Sequence, residues 1–320
     1  MSILTIAIPT YNRVHYLNAC LKSLKEALPN NCNELEILVI DNDSTDNTEE
    51  VVNNIKKMDI KYIKNNTNIG PDENFKKCII KANSKFVWLF GDDDIFFKDS
   101  IEFILSIIKN NNNLGLIHLR AKNFQDEKEL LNYKTDNFSY ENIKSKDKFI
   151  NKIHTNITFI SANIFNKDIL KGEVNLKDIP NNNLGQVYWN MVSTIKGDQN
   201  IFCKSKVFAA RQFNSGNYNF CEVFGKNFIE TLYMVNEKFH IDNFIKIFKK
   251  RLLIMYFPAN IARLRAGVSK VQYKNCLKIF YKIFYKDIYF WIFTFPALVF
   301  PKQIVFQLYK IVEKMNDLLN

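Results

Sequence analysis

The chain has 320 residues, 47% of them hydrophobic, with 9 glycines and 7 prolines, so it is neither disordered nor fibrous and can hold one large domain or two ordinary ones. Its net charge of +11 is uneven: residues 240–320 hold 14 Lys/Arg against 4 Asp/Glu, a net +10, which leaves the first 239 residues near +1. Six scattered cysteines (Cys20, Cys32, Cys78, Cys203, Cys221, Cys276) form no C-x-x-C pair and no Cys/His cluster at zinc spacing. They exclude a zinc module and read as buried free thiols in a reducing compartment.

The first 120 residues alternate strand and helix signals. Residues 3–8 read as a buried strand. Leu17, Leu21, Leu24 and Leu28 recur at helical spacing and predict a helix over Val14–Ala27. Residues 35–40 form a second apolar run that ends at Asp41, and Ser44 and Asp46 are good caps for a helix carrying Val51, Val52 and Ile55. A short strand follows at 60–63. Asn68-Ile69-Gly70-Pro71 is a turn, with Pro71 suited to the first position of a helix reaching about Ala82. Residues 86–90 are the next strand, 100–109 a helix and 114–119 another strand. Repeated βα units of this kind predict a mostly parallel sheet with helices on both faces.

Beyond residue 119 the pattern weakens. Residues 120–152 read as a polar excursion or flexible loop, 156–165 as a strand, 184–195 as a helix and 206–210 as a strand. From Phe239 the chain turns aromatic, basic and helical, broken by Pro258, Pro296 and Pro301. This predicts one domain over 1–238 and a helical extension over 239–320.

The chemistry concentrates at strand ends. Thr10-Tyr11 follows the first strand, Asp41 the second, and Gly91-Asp92-Asp93-Asp94 the run Phe86-Val87-Trp88-Leu89-Phe90. The C-terminal edges of parallel strands converge on one crevice, where open α/β sheets bind ligands. Adjacent carboxylates repel unless a cation sits between them, and hard divalent ions accept a few carboxylates with water and phosphate completing the shell. A nucleotide diphosphate fits: Tyr11 stacks on a base, Asp41 accepts a base N–H or a ribose hydroxyl proton, and the acidic run holds the metal. The blander readings are a strand-to-helix turn at 9–13, simple helix capping at 41–46, a structural Asn74 inside its helix, and, for Arg211 and His240, solvated surface in preference to contact with phosphate.

Pro9-Thr10-Tyr11-Asn12-Arg13, Val39-Ile40-Asp41-Asn42-Asp43-Ser44-Thr45-Asp46-Asn47-Thr48, Asn68-Ile69-Gly70 with Asn74, and Gly91-Asp92-Asp93-Asp94 stand in one order, each at a strand end. In this the chain resembles the family 2 inverting glycosyltransferases of bacterial surface-glycan type. The likeness covers roughly residues 1–120 and, more loosely, continues to about 210. It implies a GT-A-type, Rossmann-like α/β fold and metal-dependent transfer of a sugar, with inversion, from a nucleotide diphosphate sugar to a hydroxyl of a glycan, lipid-linked by preference. Carried over residue by residue, it implies a nucleotide pocket of Thr10, Tyr11, Arg13, Asp41 and Asn74, with Asp92 near the ribose and Asp93 or Asp94 on Mn²⁺ or Mg²⁺.

The family commonly opens a helix after its acceptor strand with Glu-Asp, whose Asp is the general base. Here Asn181-Asn182-Asn183-Leu184-Gly185-Gln186 stands at that place. Asp178 is the nearest carboxylate, with His154 and Glu173 as weaker candidates. The gap motivates a second function from another class, a catalytically degenerate scaffold in a glycan assembly complex. A sugar nucleotidyltransferase is disfavoured because no Gly-rich loop follows the first strand.

In the tail, Lys274, Lys278, Lys282 and Lys286 recur every four residues among aromatics, which fits a helix lying in an anionic membrane surface. The alternative is packing within the chain or in a homo-oligomer. No nucleic-acid module is recognisable. Without a basic region and apolar core at the N-terminus, and with the longest apolar run (288–300) short of a membrane span and interrupted by Pro296, the expected location is the cytoplasmic face of the membrane, held peripherally.

Overall fold

Leu4–Thr10 (β1) is buried at every position, as an inner parallel strand covered on both faces must be. The structure, a computed structural model, describes residues 2–29, 32–55, 58–135, 137–212, 218–267, 271–305 and 307. After β1, helix α1 (Val14–Ala27) turns Leu17, Cys20, Leu21, Leu24 and Ala27 inward, an apolar stripe at helical spacing. Then come β2 (Leu35–Asp41), α2 (Thr48–Asn54), β3 (Ile60–Lys64), α3 (Pro71–Lys81) and β4 (Phe86–Leu89). Gly70 enters α3 at φ 82°, a left-handed backbone open to glycine, and Pro71 supplies the first helical residue. These four strands pair in parallel in the order β3-β2-β1-β4.

The rest of this unit is mixed. It comprises β5 (Ile95–Phe96), α4 (Ser100–Asn110), β6 (Leu114–Phe124), β7 (Tyr140–Ile143), α5 (Lys146–Ile153), β8 (Asn163–Asn166), α6 (Lys167–Leu170), α7 (Gly185–Lys196) and β9 (Gln199–Arg211). Strand β8 lies antiparallel between β4 and β6, β9 runs parallel to β6, and β5 and β7 pair antiparallel with β9. The rings of Trp88, Phe90 and Phe96 form the core beneath the end of β4, with centroids 4.9 Å apart for the first two and 3.8 Å for the last two.

Three expectations change. The stretch 120–152 is not all loop: β6 runs on to Phe124, a 3-10 turn follows at Glu127–Leu130, and β7 and α5 come after it. The expected strand over 156–165 is instead a pair of 3-10 turns, His154–Thr158 and Ile160–Ala162, with β8 beginning only at Asn163. The Asn163 amide bonds the carbonyls of Asn156, Ile157 and Phe159, offering that backbone turns in place of a ladder. The last strand begins seven residues before the expected 206, at Gln199.

The chain divides after Gln212 into two compact units. The expected division after residue 238 falls in the last turn of α8 (Phe228–Phe239). The second unit is helical, with a π-helical stretch Cys221–Asn227 leading into α8, then α9 (Asp242–Arg251), α10 (Phe257–Arg265), α11 (Cys276–Phe284) and α12 (Phe295–Val299). Phe257, Phe280 and Phe284 pack together at its centre. Here the reading of six free thiols is corrected: Cys221 and Cys276 form a disulfide, with Cα atoms 5.2 Å apart across a separation of 55 residues that sequence spacing cannot reveal. Cys20, Cys32, Cys78 and Cys203 are free.

Candidate nucleotide-binding crevice

Strand order reverses at β1, with β2 and β3 on one side and β4 on the other. That switch point leaves a crevice beyond the C-terminal ends of β1 and β4. Two bridges span it. Thr10 Oγ1 donates to Asp92 Oδ2 at 2.7 Å. The Arg13 guanidinium reaches Asp92 at 3.0 Å and Asp93 at 2.7 Å. Tyr11 stands 42% exposed beside them, a free aromatic face on which a base can stack.

The loops at this edge are laced by side chains. Asn12 adopts a left-handed backbone (φ 50°), and its Oδ1 accepts from the Thr45 N–H at 2.8 Å. Asp46 accepts from the Val14 N–H at 3.0 Å and from the Thr48 hydroxyl at 2.5 Å, so one carboxylate serves the starts of both α1 and α2. Burial pushes its pKa up, but the bonds from Thr48 and Val14 together outweigh it and hold the carboxyl below the usual range.

Asp41 is fully buried. Its Oδ1 accepts from the Ser44 N–H at 2.8 Å and its Oδ2 from the Tyr62 hydroxyl at 2.6 Å. Burial and the bond to Asp41 push the Tyr62 phenol up. Both carboxylate oxygens of Asp41 are thus engaged within the protein, and the Tyr62 hydroxyl is tied to one of them. Asn74 is buried, accepting from Asn65 at 3.0 Å and donating to the Ile40 carbonyl at 3.2 Å, while Asn42 ties Asn65, Asn68 and Ile69 together. The structural reading of Asn74 is the one the geometry favours.

The acidic run folds back over Gly91. A Cβ there would meet Asp93 Oδ1 at 3.0 Å, Asp94 Oδ2 at 3.2 Å and the Ser161 hydroxyl at 3.2 Å, so only glycine fits without displacement. Asp92 and Asp94 are buried, and Asp93 has 18% of its side chain exposed. Burial raises the Asp92 carboxyl to about 7, eased by Arg13 and Thr10. Burial, then the charge of Asp93, raises Asp94 to about 8. For Arg13, burial opposes the charge, and Asp92 and Asp93 outweigh it, so its pKa is raised. Among the described residues, no group of three or more His, Cys, Asp or Glu side chains is arranged to hold a metal by protein donors alone. The oxygen donors nonetheless suit Mg²⁺ or Mn²⁺, which take one or two carboxylates with water and substrate phosphates. Asp93 is the carboxylate at the mouth, while Asp94 is turned toward the Arg211 N–H, 3.0 Å from its Oδ1.

Ser161 of this edge escapes sequence reasoning, which weighs Arg211 as a phosphate contact against the preferred reading of solvated surface. Ser161, deep in the 3-10 turn before β8, accepts from the Gly91 N–H at 2.9 Å and bonds the Asp94 carboxylate. Arg211, expected on solvated surface, has 10% of its side chain exposed; its guanidinium reaches the Asp93 carbonyl at 3.3 Å and lies over the Tyr16 ring, 5.0 Å from the centroid. Arg13 lies over the same ring at 5.1 Å. A polar ending to the apolar run 207–210 was the one local signal for Arg211.

Asp178 is exposed, in a 3-10 turn where Asn175 donates to it at 3.1 Å, and no bond described for it reaches the acidic crevice. At the start of α7, where no local carboxylate stands, Asp72 of α3 reaches across: its Oδ2 accepts from the Asn183 N–H at 2.8 Å. Its Oδ1 is buried without a partner, and burial raises its pKa. Lys76, one turn on, donates to the Ile179 carbonyl at 2.6 Å and to Asn181 at 2.9 Å, so α3 grips the segment ahead of α7.

An α/β sheet with an acid-rich crevice at its β1/β4 switch defines a GT-A-type fold, and crystal structures of that fold match it. S. aureus TarS (1–349) superposes with a TM-score of 0.60 at 17% identity, over 88% of this chain and 80% of that one. The same protein in complex with UDP-GlcNAc superposes with a TM-score of 0.59 at 19% identity, over 78% of this chain and 72% of that one. At that identity the likeness is one of fold. The sequence profile of Glycosyl transferase family 2 matches residues 5–172, just over half of the chain, and the chain belongs to that family. An abequosyltransferase of Salmonella typhimurium is 36% identical over 117 residues, 36% of this chain and 35% of the relative. A Campylobacter jejuni GalNAc(5)-diNAcBac-PP-undecaprenol beta-1,3-glucosyltransferase is 34% identical over 119 residues, 36% of each. The chain thus matches about a third of the length of these relatives.

Proposed function

We propose that the protein is a glycosyltransferase that moves a sugar, with inversion, from a nucleotide diphosphate sugar to a hydroxyl of a lipid-linked glycan at the inner face of the cell membrane. The observation that carries this is the pair of bridges across the β1/β4 crevice, Thr10 to Asp92 and Arg13 to Asp92 and Asp93, in a chain of this family. The UDP-GlcNAc complex of TarS and the undecaprenol diphosphate in the name of the Campylobacter relative support the donor and acceptor classes. Mg²⁺ or Mn²⁺, held through Asp93 with Asp94 behind it, would neutralise the diphosphate as it leaves.

The chain's own residues do the rest. Tyr11 stacks on the base, and Asp41 orients Tyr62 toward it. Asp92, fixed by Thr10, faces the ribose. Arg13 presents its charge to the diphosphate. Asp178 removes the acceptor hydroxyl proton as that oxygen attacks the anomeric carbon from the face opposite the leaving group. One observation favours the scaffold reading instead: α7 opens without a carboxylate of its own, and Asp178 is exposed. The experiment is to incubate the full chain with labelled nucleotide sugars, undecaprenyl-diphosphate-linked glycans and Mn²⁺, and to assign the new anomeric centre by NMR. An inverted, chelator-sensitive product is expected. Turnover undiminished in chelator would remove the metal, and nucleotide binding without any transfer would leave the scaffold.

A further inference from the structure

The second unit carries an apolar surface that its own core does not use. On α11, Cys276, Phe280 and Phe284 are buried at four-residue intervals. At about 100° per residue, the next row round the helix is Leu277, Tyr281 and Tyr285. These are 44%, 49% and 45% exposed. The row after that is Lys278 and Lys282, with Lys286 just past the helix end, all exposed. Trp291 completes the aromatic row: its ring lies 6.1 Å from Tyr281, and its Nε1 donates to the Tyr285 carbonyl at 2.9 Å. Tyr281 and Tyr285 stack at 5.7 Å. Exposed apolar residues scattered singly need no explanation, but a contiguous cluster of this kind marks an interaction surface.

Charge decides the partner. Residues 274–305 contain five lysines and one acid, Asp287. Two copies of the chain meeting through this face would bring two lysine rows together, which disfavours self-association. An anionic surface with an apolar interior suits both rows at once. Trp and Tyr settle at the boundary between headgroups and acyl chains, and flanking lysines extend toward the headgroups. No helix among the described residues is long and apolar enough to cross a membrane, which fits a helix lying in the plane.

We propose that the face formed by Tyr281, Tyr285 and Trp291, flanked by Lys278 and Lys282, is the docking site of this protein on an anionic lipid bilayer. It gives the membrane contact in the function proposed above its residues, and it stands on the second unit alone.

The test uses the full chain and vesicles with or without phosphatidylglycerol. The chain has three tryptophans, and Trp88 and Trp189 are buried at 0% and 1% exposure against 41% for Trp291, so quenching by brominated lipid reports on Trp291. Expected are sedimentation with anionic vesicles at low salt, quenching on contact, and release in high salt. The double variant Lys278→Glu/Lys282→Glu should weaken binding by about tenfold or more. Tyr281→Ser/Trp291→Ser should also release the chain, with nucleoside diphosphate binding unchanged in both variants. No binding at low salt, equal binding to neutral vesicles, binding without quenching, or indifference to both variants would overturn the proposal. So would a concentration-dependent dimer dispersed by the Trp291 variant, in favour of a second copy. Native chain that binds vesicles but no nucleoside diphosphate would overturn the transferase reading and leave the docking site standing.

Discussion

The two halves of the sheet solve different problems. The parallel half, β3-β2-β1-β4, ends in loops whose polar groups bond one another at close range, from Asn12 and Thr45 to Thr10, Asp92 and Arg13. The mixed half, β8-β6-β9, ends near α7 with no carboxylate of its own, and α3 reaches over from the parallel half to hold the segment before α7 through Asp72 and Lys76. If the parallel half is the donor side proposed above, its preformed loops are a rigid template for a diphosphate. On the same reading, the segment gripped by α3 is where specificity for a glycan could change without disturbing that template.

The largest expected effect sharpens this contrast. If Asp178 takes the acceptor proton, Asp178→Asn lowers turnover by about 10²–10⁴-fold with donor binding preserved. If instead Asp178→Asn is mild and Asp72→Asn abolishes turnover while α7 stays folded by circular dichroism, the proton goes to the carboxylate that α3 supplies. Kinetics of both variants under saturating donor decide.

Acid should loosen the mixed half. His118 of β6, bonded to Asn163 of β8 at 2.9 Å, is held neutral by burial, which pushes its pKa down to about 4. Unfolded, it titrates near 6.5, so the folded state binds fewer protons between those values. Its stability is complete above about pH 6.5 and falls by about 3 kcal/mol as pH drops through 4. The raised carboxyls Asp92 and Asp94 act in the opposite direction. The measurement is therefore the difference in unfolding free energy between the native chain and His118→Gln across that range; a difference that does not change with pH would contradict it.

On the donor side, Asp41→Ala should weaken nucleotide binding by about 1.5–3 kcal/mol, the worth of a hydrogen bond to a charged group. Because the Tyr62 hydroxyl loses its partner too, calorimetry should be read beside a thermal melt. The smallest effect is Tyr62→Phe, about 1 kcal/mol in nucleotide affinity with Asp41 still held by Ser44. An unchanged affinity would show that base recognition does not pass through Tyr62.

The legibility of the sequence follows the same division. β1, β2, β4 and α1 could be read because their signals are local: buried apolar runs and a stripe of leucines at helical spacing. Asp41 and the acidic run sit at the ends of those strands, so their convergence could be read too. What failed was nonlocal. β6 continues past Leu119 on its pairing with β9, Ala121 with Phe208 and Phe124 with Arg211, while its own burial there follows no regular alternation. Ser161, Arg211 and Asp72 owe their places to contacts 70, 117 and 111 residues away, and no local pattern encodes such pairings.

The central claim is that the donor crevice takes a nucleoside diphosphate through a divalent ion at Asp93. Titrating a panel of nucleoside diphosphates into the full chain by calorimetry, with Mn²⁺ and with chelator, tests it most directly. At least one should bind with Mn²⁺, and chelator or Asp93→Asn should weaken that binding about tenfold or more, the scale of a charge-assisted contact. Equal affinity with Mn²⁺, in chelator and in the variant would contradict the account.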